Sequence, residues 1–437
     1  MVTANPIPLT DAVAETVPKV GWSLTHRMLF RFAFCYLVMY NLPDGALSSS
    51  LPGGQLLAKP GEWVWQMICP WVAIHVFGLS GQRTTYFITG SGDTTLAYIQ
   101  NLLILLLSLG ATLVWSILDR RRANYRLLHA WLRLLVRYTL ALTLFTYGFL
   151  KVVPQQFQPT RLSKFIEPYG EFSPMGVLWN FMGASMAYTV FSGVAEVLGG
   201  LLLLFRRTTT LGALVSIGVM ANVVALNFCY DVPVKLYSTN LLLMAVFLAA
   251  PDLRRLLDVL VLNRAAAPAD PMAIRFERRS FRIAALVLWI AFAGYTMIRE
   301  VMGAVSGYQR LYTHPALPSI YGVYDVETFT QLGKPLELAT DAARWRKVVF
   351  QQGAMMVRTM DDRTIGYPGK YEDAKSTFLV TNGGKAVRWS RSDPDHLAIE
   401  CTIGGIPVSA RLRKVGISKF LLVNRGFHWI SEFPFNR

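Results

Sequence analysis

The chain has 437 residues, of which 53% are hydrophobic and only 16% charged, and its mean hydropathy is +0.36. That balance excludes an ordinary soluble protein of this size, and the length bounds it at two or three domains. The net charge of +16 could suit nucleic acid, but most Lys and Arg flank apolar runs, where they act as topology signals and lipid contacts. No nucleic-acid partner is expected; the lipid bilayer is.

In chain order, the first 23 residues are polar. Met1–Val20 carries Asp11 and Glu15 and lacks the basic-then-apolar pattern of a cleaved signal peptide. Leu24–Leu42 is the weakest apolar segment because Arg27 and Arg31 lie near its start, where long side chains can snorkel to the interface. Trp63–Ser80 is uncharged and long enough to span, yet it contains Trp63, Trp65, Trp71, Pro70 and His75. Five clear segments follow: Leu96–Leu118, Leu132–Val153, Met186–Phe205, Leu211–Tyr230 and Val234–Ala250. After a basic linker at 251–280 comes Phe281–Ile298.

Basic residues concentrate in Asp119–Arg137, at Arg206–Arg207 and in Arg254–Arg282, whereas Val153–Pro174 and Cys229–Val234 are poorer in them. The positive-inside rule puts the first three on the cytoplasmic face and the last two outside. If Leu24–Leu42 starts inside, a spanning Trp63–Ser80 would flip the Arg120 cluster outward. It is therefore read as an amphipathic or re-entrant element at the outer interface, held by its tryptophans.

From Tyr321 the pattern changes to period two, broken by glycine turns. His396–Ile403 sets Leu397, Ile399, Cys401 and Ile403 on one face, and Gly404-Gly405 links it to Ile406–Lys414. Thr381-Asn382-Gly383-Gly384 joins Thr377–Val380 to Ala386–Trp389. Gly322–Thr330, Trp345–Phe350, Ala354–Met360 and Lys419–Val423 bring the runs to eight. The expected fold is an all-α membrane bundle of about seven transmembrane helices plus an all-β domain at 320–437. That domain is a small lipocalin-like up-and-down barrel, which closes its own edges, or else an open sandwich.

Among the polar groups, Glu196 is the most informative. It precedes Arg206 by ten positions, which at helical rise is about 15 Å, near the centre of the hydrocarbon core. A carboxyl there is expected to be neutral at rest and to be kept either for function or as a packing hydrogen bond. Asn222 and Asn227 in the next helix are candidate partners or interhelical glue. Lys151, Asp231 and Lys235 lie at outer helix ends; Asp231 and Lys235 flank Pro233 and suit a local ion pair, or with Glu196 a funnel opening outward. Gly193, Gly199 and Gly200 would admit a helix or a ring-shaped ligand. No phosphate-binding glycine motif, no metal ligand set and no pair of intramembrane histidines for haem is present. Of the four cysteines, Cys401 is expected to be a buried free thiol, and only Cys69 and Cys229 could meet on the outer side.

The block Arg137–Ala250 resembles the DoxX-like family of bacterial four-helix membrane proteins. The resemblance is carried by Tyr147-Gly148-Phe149-Leu150-Lys151, then Glu196-Val197-Leu198-Gly199-Gly200-Leu201-Leu202-Leu203, Asn222, and Asp231-Val232-Pro233-Val234-Lys235. The ending Leu421–Ile430 is similar to the tail of extended members. The resemblance implies a bacterial cytoplasmic (inner) membrane protein linked to quinone-dependent oxidation, with no covalently bound cofactor and a redox protein as partner. Two other readings stand beside it: a small-solute or lipid transporter, and a membrane anchor for an extracytoplasmic ligand-binding barrel.

Overall fold

The computed structural model describes residues 21–42, 53–87, 89–268, 277–336, 341–381, 386–426 and 428–429. The polar segment Met1–Val20, the Asn382–Gly384 turn and Ile430 lie outside them. Among the described residues, six helices are long and apolar enough to cross a membrane, which marks a membrane protein: Thr95–Leu118, Arg126–Val152, Met186–Leu204, Arg206–Cys229, Lys235–Leu260 and Arg279–Thr313. The expected count was seven. Leu24–Asn41 is helical, but Arg27 and Arg31 keep it below the apolarity of a spanning segment.

Two compact units divide the chain. The first takes in the described residues of Met1–Phe87, Thr94–Val136 and Arg264–Arg279. It contains α1 (Leu24–Asn41), α2 (Gly54–His75), α3 (Thr95–Leu118) and the start of α4 (Arg126–Val152). Its organising residue is Arg31, which does not snorkel. It is 1% exposed and reaches the end of α3, donating to Tyr125 Oη at 2.7 and 3.0 Å, Ser116 Oγ at 2.8 Å and Asp119 O at 2.7 Å. Arg27 donates to the carbonyls of Arg120 and Arg122. Cations at a helix C-terminus satisfy its unpaired carbonyls and oppose its dipole. The start of α1 thus meets the end of α3, so these helices are antiparallel neighbours and α2 need not cross between them. α2 starts earlier than the Trp63–Ser80 reading and carries Pro60 and Pro70 within it.

The second unit takes in the described residues of Ile88–Asp93, Arg137–Asn263 and Ser280–Arg437. It contains the rest of α4, α5 (Pro174–Ala184), α6 (Met186–Leu204), α7 (Thr209–Cys229), α8 (Lys235–Ala249), α9 (Leu253–Leu260) and α10 (Arg279–Tyr308). α5 was not anticipated; Ser173 accepts a hydrogen bond from Gly176 N at its start, with Pro174 at the first position. Lipid is as apolar as leucine, so helix association rests on close packing. α4 and α6 show this: a Cβ added to Gly193 would lie 2.7 Å from Gly148 O and 2.7 Å from Val152 N.

The β domain is a closed antiparallel barrel of eight strands. Its order is β1 (Gly322–Gln331), β3 (Trp345–Gln351), β4 (Ala354–Thr359), β5 (Thr364–Glu372), β6 (Thr377–Val380), β7 (Ala386–Arg391), β8 (His396–Ile403) and β9 (Ile406–Val415), with β9 pairing back to β1. A short β2 (Lys334–Pro335) folds back and pairs antiparallel with the end of β1. Sequential neighbours all the way round make it up-and-down, and the open sandwich is ruled out. Leu397, Ile399 and Cys401 point inward as the alternation requires, opposite Leu412, Ala410 and Val408. Phe350, Met355, Phe378 and Leu412 are fully buried inside, so side chains fill the lumen, as they can in a barrel of this size. Lys419–Val423 is not a strand but a 3₁₀ turn (Ile417–Lys419) followed by the short helix α11 (Leu421–Asn424). The eighth strand is β5, where Ile365, Tyr367 and Tyr371 alternate on the more buried face but Pro368 and Gly369 interrupt the run.

Candidate functional site

Lys151 ends α4 and Glu196 sits mid-way along α6. Because Gly193 and Gly148 bring those backbones nearly into contact, the two side chains meet. Lys151 Nζ lies 2.8 Å from Glu196 Oε1 and 2.9 Å from Oε2, and the residues are 7% and 3% exposed. Taking two charges out of water is costly, so such a pair persists only with short, well-satisfied contacts. Glu196 thus has a cation as its partner, and a neutral carboxyl is not needed to hold it in the bundle. Asn222, weighed above as that partner, is exposed on α7.

One side of the pair is aromatic. The Tyr147 ring lies 5.8 Å from Lys151 Nζ, and Tyr237 on α8 lies 6.2 Å from Tyr147, centroid to centroid. Tyr147 is 37% exposed, so the pair is buried but its neighbour is not. Thr143 Oγ1 stands 3.4 Å from Tyr237 Oη. Thr139, Thr143, Tyr147 and Lys151 repeat every fourth residue and so line one face of α4. Thr139 is buried, and among the described residues its hydroxyl has no hydrogen-bond partner.

The other sequence candidates fall elsewhere. Asn227 donates to Ser238 Oγ at 3.0 Å, joining α7 to α8. Asp231 and Lys235 form the local pair at 2.7 Å. Lys235 also approaches Asp93, whose carboxylate accepts from Lys235 N and Leu236 N at 2.9 and 3.0 Å and so caps α8. Asp93, Asp231 and Lys235 thus form a second polar cluster at the start of α8. Gly199 faces Ser216 of α7, and Gly200 faces Phe145 and Ala141 O of α4; helices, not a ligand, occupy the room these glycines leave.

Sequence reading missed Asp93 and also Glu300. Thr146 donates to Glu300 Oε1 at 3.1 Å, and Arg299 pairs with the same carboxylate. Tyr138 and Phe292 touch one level below, at equal spacing along α4 and α10, so the two helices run side by side. The apolar residues after Glu300 (Val301, Met302, Ala304, Val305) were the available signal that the helix continues.

Fold and site together define a polytopic membrane protein with an intramembrane ion pair and an appended closed barrel. One relative is the uncharacterized protein YwoB of Bacillus subtilis (strain 168), 33% identical over an alignment 132 residues long that covers 28% of this chain and 78% of that protein. Over that stretch the chain belongs to the same family as the Bacillus protein. No family model matches the chain, and no solved structure does.

Proposed function

We propose that the protein is a DoxX-like, redox-associated subunit of a bacterial cytoplasmic membrane, in which the Lys151–Glu196 pair receives a quinone or quinol head group. A quinol gives up two protons together with two electrons; Glu196 takes one proton, the second leaves to water, Lys151 keeps its positive charge, and a separate redox protein takes both electrons. The observation that carries the reading is an ion pair buried inside a lipid-embedded bundle beside the exposed Tyr147. Intramembrane ion pairs are costly and mark ligand or proton sites, and an entrance at Tyr147 suits a ligand that arrives through the bilayer. The orientation that goes with this puts the barrel outside. In its support, Arg137 contacts Thr209 and Thr210 contacts Asp252 at one end of the second unit, while the barrel packs at the other.

The filled barrel lumen argues against an anchor whose barrel encloses a ligand. The test is solvent extraction of the purified protein followed by mass spectrometry. Quinone should accompany wild type in near-stoichiometric amount and be lost from Lys151→Met and Glu196→Gln. Equal amounts in wild type and variants would sink the reading.

A further inference from the structure

After β9 the chain leaves an apolar surface that the barrel fold does not need. Leu421, Leu422 and Val423 are 49, 56 and 48% exposed, and Ile417 is 36% exposed. Consecutive aliphatic side chains at that exposure mark an interaction surface. Lys419 and Arg425 stand on either side of them.

The position of the segment identifies what covers it. Phe420 turns the other way and meets Phe165 at 4.9 Å, joining Leu162, Ile166, Val323 and Val349. That cluster is the seam between the barrel and the connection from α4 to α5. The same connection inserts Phe157 against Leu178, Met182 and Val232, at the ends of α5 and α7. The aliphatic segment is therefore one connection away from the end of a membrane-crossing helix. Tyr169, on that connection, is 77% exposed, as aromatic residues at a headgroup layer are.

We propose that Ile417–Val423 lies in the headgroup region of the bilayer leaflet on the barrel's side. Its aliphatic side chains enter the top of the acyl region, and Lys419 and Arg425 face anionic lipid phosphates. The cationic flanks favour a lipid surface over a protein groove, whose rim would need matching acids. Phe420, anchored in the seam, ties this lipid contact to the barrel.

The test uses the full-length protein in nanodiscs of phosphatidylcholine and phosphatidylglycerol, with Cys35, Cys69, Cys229 and Cys401 replaced by alanine. Leu422→Cys carries an environment-sensitive fluorophore, and Arg388→Cys on β7, across the barrel from β3, is the control. Lipids brominated near the headgroup should quench the Leu422 label at least about two-fold more than the control, with blue-shifted emission. Quenching equal to the control overturns the proposal. So does a blue shift without quenching, since protein would then cover the segment. Amide exchange of residues 417–425 in the unmodified protein is the second measurement, and it should be slower in nanodiscs than in an amphipathic polymer. Equal exchange in the two also overturns it.

Discussion

Lys151 and Glu196 neutralise each other inside the bundle, so neither can change alone without stranding a buried charge. Glu196→Gln looks conservative from sequence, where a neutral carboxyl was expected, but here it leaves the Lys151 ammonium uncompensated. Each single variant, Lys151→Met or Glu196→Gln, should cost about 3–5 kcal/mol. The double variant Lys151→Met/Glu196→Leu should recover most of this while remaining free of quinone. Melting curves in detergent check the first part and extraction the second. Cys401 offers a pH test. Burial pushes its thiol from 9.0 up to about 11. Its folded value is raised, so its stabilising contribution is complete below about pH 9 and is lost as pH climbs toward 11. Denaturation of wild type and Cys401→Ala from pH 7 to 11 should show their difference shrinking by on the order of 2 kcal/mol. All four cysteines are free, so the weighed Cys69–Cys229 bond is absent.

At the scale of elements, segments whose hydrophobic period matches their structure were readable, and those shaped by neighbours were not. β8 and β6 fall at the bounds that their alternation and turns give. β5 does not advertise itself, because Pro368 and Gly369 argue against a strand. It exists because β4 and β6 supply partners on both sides, with Ala354 opposite Pro368 and Val380 opposite Gly369. Gly369 is there for close approach: a Cβ would lie 2.3 Å from Leu379 O and 2.5 Å from the Phe378 ring. Gly369→Ala should therefore destabilise the barrel by about 1–3 kcal/mol. Gly366→Ala meets only the flexible Met356 Sδ, at 3.1 Å, and should cost less than about 1 kcal/mol. Thermal melts of the two variants decide this. α10 likewise outruns its apolar stretch, because Thr146 gives Glu300 a polar neighbour inside the bundle.

At the scale of the molecule, the barrel is part of the second unit rather than a free appendage. Arg358, fully buried, donates to both oxygens of Glu171 at 2.9 and 3.0 Å, and Gln351 accepts from Ser163 N. The Arg358 guanidinium holds the Glu171 carboxyl below the ordinary carboxylate range. A lowered value means the contact is intact above the ordinary range and fails only as pH falls through the lowered one. Arg358→Gln should free the α4–α5 connection, giving faster tryptic cleavage at Lys164 with the barrel still folded. Wild type should show comparable loosening only below about pH 4, followed by an acid-active protease. Unchanged cleavage in Arg358→Gln would show that the apolar seam alone holds the barrel.

Local sequence by itself determined the apolar helices of the bundle, most of the period-two strands of the β domain and the inward face of Cys401. Each depends on period, length or composition along a single segment. Tertiary structure alone decided that Lys151 answers Glu196, that Arg31 closes the end of α3, that Asp93 caps α8 and that Glu171 holds the barrel. Each of these joins residues far apart in the chain. Such a contact depends on how closely two backbones pack, and no single segment records that distance.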